Sequence, residues 1–108
     1  MLKPKIRYIL LTEAQNYADR DAYISDMALS SIWGDAVEIP QERLELIGKI
    51  YDWATAEINA LLRQHKMTQS DFARYFGIPL RTVQAWCGGA RQCPPYVLAM
   101  AAELLDKA

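Results

Sequence analysis

Apolar residues in this chain recur every three or four positions and almost nowhere alternate, which is the spacing of helices with one buried face rather than of half-buried strands. Pro4 opens the first stretch, since a proline in a helix's first turn needs no amide donor, and Tyr8, Leu11, Ala14, Tyr17 and Ala18 would share one side. A short strand over Ile6 to Leu11 is the alternative. Asp19 or Asp21 can cap a second helix running to about Trp33, with Ile24, Met27, Ala28 and Ile32 inward, before Gly34 and Asp35 break it. Behind Pro40 a third helix is predicted from Gln41 to about His65, because Leu44, Ile47, Tyr51, Ala54, Ile58, Leu61 and Leu62 keep helical spacing with no internal proline. It would reach roughly 35–40 Å, so a bend near Gly48 or a bridge between two lobes is expected.

The second half carries sharper signals. Thr68 and Asp71 have the spacing of a reciprocal helix cap, in which the hydroxyl accepts from the Asp71 amide and the carboxylate accepts from the Thr68 amide. Phe72, Ala73 and Phe76 then form an inward stripe, and Gly77 ends the helix where a left-handed backbone is cheap only for glycine. A second short helix is predicted from about Pro79 to Cys87, with Val83 and Trp86 inward. Ala73 would stand where the two helices cross, and a larger side chain would push them apart. Ile78 would fill the gap under the turn. Two short helices joined by a glycine turn fit a helix-turn-helix plan. Pro94 and Pro95 open a last helix, where Val97, Met100, Ala101, Leu104 and Leu105 make a stripe that would close this core. Any surplus there, or along the third helix, could join a dimer.

Composition narrows the picture without deciding it. The chain is 108 residues long and 52% hydrophobic, with five glycines and five prolines, so a small all-α globular protein is expected. No apolar run is long enough for a membrane span, and the first residues do not continue into a signal-peptide pattern, so a soluble cytoplasmic protein with no membrane partner is expected. The formal charge of -1 conceals an asymmetry. Residues 1–56 hold nine acidic side chains against six basic ones, whereas from Glu57 to Cys93 five basic side chains face two acidic ones. The basic half could meet a polyanion. Cys87 and Cys93 are too few for a disulfide framework and read as free thiols. With His65 they offer three metal ligands at a spacing that matches no common zinc pattern. One histidine without a nucleophile and carboxylate partner, and no glycine-rich phosphate loop, give no support to catalysis. A non-enzymatic protein without cofactor or metal is expected.

The segment TQSDFARYFGIPLRTVQAWCGGARQCP resembles the phage repressor and Cro type of helix-turn-helix, over about residues 58–105. The resemblance implies a lambda-repressor-like bundle in residues 57–108, preceded by an amino-terminal helical extension in residues 1–56. It also implies that the second helix of the motif enters the major groove and that the protein binds double-stranded DNA as a homodimer. Leu80, Arg81, Gln84 and Ala85 would then face base edges: Arg81 suits guanine O6 and N7, Gln84 adenine, and Leu80 a thymine methyl. Gln69 and Thr82 resemble phosphate-holding positions, with Arg63, Lys66, Arg74 and Arg91 as further phosphate candidates. The chain departs from the family at Pro79, where a serine or threonine usually caps the recognition helix, and in the loop Gly88-Gly89-Ala90-Arg91, which lacks the usual polar residue before its glycine. The function implied is a sequence-specific transcriptional regulator, a repressor in the first instance. The alternative is an antitoxin-like protein that binds a partner protein through residues 1–56 and regulates its own gene through the motif.

Overall fold

The computed structural model describes residues 2–34 and 39–108. The expected helix breaker Asp35 lies outside them, as does the acidic Glu38. The described chain is all-α, without a strand: α1 (Pro4–Glu13), α2 (Arg20–Ala28), α3 (Gln41–Ala54), α4 (Ile58–Gln64), α5 (Gln69–Phe76), α6 (Leu80–Cys87) and α7 (Pro95–Lys107). Single 3-10 turns occupy Ala14–Asn16 and Ser31–Trp33. Two compact units result, Met1–Thr55 and Ala56–Ala108.

In the first unit, residues 6–11 are helical, which removes the strand alternative. The inward side of α1 is set by Leu10 and, just beyond its end, Ala14, both fully buried; Tyr8 and Ala18 are exposed, and Leu11 and Tyr17 half-buried. Tyr17 and Ala18 lie past the helix altogether. Asp19 is the cap of α2, accepting from the Ala22 amide at 3.2 Å. The helix stops at Ala28 instead of Trp33, and Ser30 starts the separate 3-10 turn by accepting from the Ile32 amide. Of the side chains expected inward, Met27 and Ala28 are buried, and Ile24 and Ile32 only half-buried. The centre is Tyr23, fully buried with its hydroxyl donating to the Leu10 carbonyl at 2.6 Å. Burial raises its phenol above the ordinary value, so it stays neutral and keeps donating. Tyr17 packs edge-on and Tyr51 tilted against it, at ring distances of 5.5 and 4.9 Å, while Ile47, Ile50 and Trp53 fill the core from α3. Trp33 is half-buried, donating to the Met27 carbonyl under the Arg43 guanidinium.

The expected third helix is two helices. The Thr55 hydroxyl donates to the Tyr51 carbonyl at 2.7 Å, and the backbone then turns extended at Glu57, with φ -115° and ψ 139°, before α4 begins. A threonine that bonds back to the preceding turn competes with the helical ladder. Gly48 is not a bend; it lies inside α3, beneath the Arg20 side chain that pairs with Asp52 at 2.9 Å.

The second unit packs α4 to α7 around Ile58, Leu61, Leu62, Phe72, Ala73 and Val83, with Cys93, Ala99, Ala101, Ala102 and Leu105 completing the core. His65, at the end of α4, stands 3.7 Å from Asp106 on α7. Of the stripe expected on α7, Ala101 and Leu105 face inward and Val97 is half-buried, whereas Met100 and Leu104 face out. The buried side of the helix consists mostly of alanines, Ala99, Ala101 and Ala102.

Candidate nucleic-acid interface

The site is built on α5, its turn and α6. Helix α5 starts at the reciprocal cap: the Asp71 amide donates to Thr68 Oγ1 and the Thr68 amide to Asp71 Oδ2, each at 3.0 Å. Those two bonds to Thr68, with Arg74 Nη2 3.2 Å from Oδ1, hold the Asp71 carboxyl below its ordinary range. A carboxylate with a lowered folded pKa contributes stability above its unfolded pKa and loses it as pH falls through the folded value. Asp71→Asn should therefore lower the urea midpoint of the second unit at neutral pH, with the gap to wild type closing below about pH 4. A gap that stays constant into acid would assign the loss to something other than the charge.

Gly77 ends α5 at φ 70° and ψ 31°, and both its amide and that of Ile78 donate to the Ala73 carbonyl. A Cβ at Gly77 would touch nothing within 4 Å, so the demand for glycine is purely one of backbone geometry. Gly77→Ala should cost about 1–2 kcal/mol in urea denaturation, and an unchanged midpoint would contradict a left-handed turn.

Helix α6 begins behind Pro79, which supplies no side-chain cap; its carbonyl accepts from the Thr82 and Val83 amides. Val83 is fully buried, and Trp86 and Cys87 are half-buried. Asn59, on α4, donates through Nδ2 to the Cys87 carbonyl at 3.0 Å and so ties down the far end of α6. That tie is a positioning feature the sequence reading missed, since it joins residues 28 apart. Gly88, Gly89 and Arg91 close the following loop by donating back to Gln84, Trp86 and Ala85.

The free side of α6 carries Leu80, 40% exposed, with Arg81 and Gln84 exposed, while Ala85 is half-buried at the margin. Three of the four base-edge candidates thus share an open face, and Ala85 is only partly available to it. Among the phosphate candidates, Gln69 is exposed at the first position of α5, Thr82 is half-buried, and Arg74 and Arg91 are exposed. Arg74 and Leu80 border one open cleft of about 400 Å³, floored by Ala73, Ile78 and Pro79 and edged by Ser70. Arg74 also pairs with Asp71, which offsets part of its charge. Arg63 and Lys66 lie elsewhere, at the end of α4 and in the turn to α5, and Lys66 has a left-handed φ of 54°. The half-buried Ser70 and the exposed Tyr75 are not among the sequence-derived candidates; a lone serine or tyrosine on a short helix gives no sequence signal of its own.

Cys87 and Cys93 are free thiols, and burial pushes both up, Cys93 to about 11, so neither is a ready nucleophile at neutral pH. Among the described residues no cluster of three or more His, Cys, Asp or Glu side chains could hold a metal ion. No described helix is long and apolar enough to cross a membrane.

The class these observations define is an all-α protein with a short helix that exposes Leu80, Arg81 and Gln84 and buries Val83. No protein-family model matches the chain, and no curated protein or solved structure was found to match it.

Proposed function

We propose that the second unit is a DNA-binding helix-turn-helix of the phage repressor and Cro type, with α6 as the helix that enters the major groove. The observation that carries the reading is the division of α6 into two sides. Val83 anchors one side at zero exposure, and Leu80, Arg81 and Gln84 occupy the other, directly after a left-handed glycine turn. An α-helix fits the major groove, where arginine matches guanine O6 and N7, glutamine matches adenine, and an aliphatic side chain meets the thymine methyl. Exposed Gln69, Arg74 and Arg91 would hold phosphates on either side and fix the register, with Thr82 at the edge of that set. The protein then acts in the cytoplasm as a transcriptional regulator, a repressor in its simplest form, binding a palindromic operator as a homodimer with half-sites about one helical turn apart.

The direct test is fluorescence anisotropy of the full chain with a pool of duplexes that includes the DNA upstream of its own gene, at physiological salt. One or a few sequences should bind far more tightly than the rest. Equal, weak binding to all would defeat sequence-specific regulation.

A second reading, that the first unit binds a partner protein as an antitoxin does, is favoured by that unit's own core around Tyr23 and by the exposed Tyr8 and Leu29. Recovery of the tagged chain from its native host with no stoichiometric companion would count against it.

A further inference from the structure

A cavity of about 460 Å³ opens in the first unit, between the start of α1 and the 3-10 turn at Ser31–Trp33. Its lining is Lys3, Lys5, Ile6, Ile9, Ser31 and Ile32. Ile6 and Ile9 stand three residues apart on α1 and so share a side of the helix, and Ile32 joins them from the turn. The core of the unit is filled without them. Leu10, Ala14, Tyr23, Ile47 and Ile50 are fully buried, whereas all three isoleucines are only half-buried. They leave a joint apolar surface in water, inside a hollow rather than scattered singly.

The charge of this lining has one sign. Lys3 and Lys5 are exposed, and among the described residues neither enters an ion pair. Lysine stems lie along apolar surface while the ammonium groups stay in water, so positive charge stands at the mouth of an apolar hollow. The sequence around it is acidic, with nine acidic side chains against six basic ones in residues 1–56. That surplus disfavours a polyanion and leaves the lysine pair suited to a small ligand with a single negative charge. Beyond the lysines the lining offers one hydroxyl, from Ser31, so a sugar or nucleotide would leave most of its polar groups unpaired.

We propose that this cavity binds a small aliphatic carboxylate, with its hydrocarbon chain on Ile6, Ile9 and Ile32 and its carboxylate between Lys3 and Lys5. The volume lies within the roughly 300–1,000 Å³ of small-molecule sites. The inference concerns the first unit alone and stands whether or not the second unit binds DNA.

The test is a titration of the full chain with octanoate at neutral pH, followed by the isoleucine methyl resonances. Those of Ile6, Ile9 and Ile32 should move together and saturate, and those of the buried Ile47, Ile50 and Ile58 should stay in place. Hexanoate should bind at least about tenfold more weakly, since each methylene lost from an apolar contact costs about a factor of four. The uncharged 1-octanol should bind at least about threefold more weakly than octanoate. A Lys3→Gln, Lys5→Gln double variant, changed only at exposed positions, should lose at least about threefold in octanoate binding and keep its binding of 1-octanol. No saturable shift, shifts spread evenly over all the isoleucines, or full octanoate binding by the double variant overturns the proposal. Resonances of Ile6, Ile9 and Ile32 that move on dilution of the chain alone would put a second copy in the cavity and overturn it as well.

Discussion

Phe72→Ala should remove most of the stability of the second unit. The ring is fully buried, and it packs tilted against Phe76 at 4.7 Å between ring centres. Truncating a buried phenylalanine costs about 3–5 kcal/mol, from lost transfer energy and from the cavity left behind. Domains are stable by only about 0.05–0.15 kcal/mol per residue, so a unit this short has little in reserve. Hydrogen exchange of the full chain reads the effect locally: the α5 and α6 amides should exchange faster by about two to three orders of magnitude. Because α6 is held through Val83 and the α5 core, the variant should also lose DNA binding at all sequences together. Retained protection in α5 would mean that Phe72 is not the keystone its burial indicates.

Arg81→Ala should behave differently, leaving the fold intact. Arg81 is exposed on α6, and its removal opens no cavity. The expected cost is about 1–3 kcal/mol of binding, concentrated at one base pair, so that the variant no longer distinguishes guanine there from other bases. Arg74→Ala or Arg91→Ala should instead weaken all duplexes alike and flatten the salt dependence, as loss of a phosphate contact does. Measured over duplexes differing at single positions, a uniform loss for Arg81→Ala would reassign it to the backbone and remove the main specificity contact from the proposal.

The second unit was the more legible half because its signals are local. The Thr68 and Asp71 cap joins residues three positions apart, and the demand for glycine at residue 77 is met within one turn, so each can be read without knowing what packs nearby. The start of α7 behind Pro94 is local in the same way. What failed to read required distant partners or a choice between equivalent faces. Ala54 and Ile58 are both buried and four apart, so helical periodicity passes through the break at Thr55 without registering it. Tyr23 is the heart of the first unit, yet its hydroxyl finds its acceptor 13 residues away, at the Leu10 carbonyl. On α7 both the line through Met100 and the side through Ala101 and Leu105 have helical spacing, and only the packed structure shows which one the core takes. The base-edge candidates follow as a set from the resemblance alone. Their exposure follows from Val83 facing inward, while Ala85 falls toward the buried side.

The central claim, that the open face of α6 reads base edges, is tested most directly by selecting bound fragments from sheared genomic DNA with the purified chain and sequencing them, in parallel with an Arg81→Ala, Gln84→Ala double variant. Wild type should enrich a short inverted repeat, and the double variant should lose that enrichment while keeping helical content. No enriched sequence with the wild type, or the same sequence enriched by both proteins, would contradict the claim.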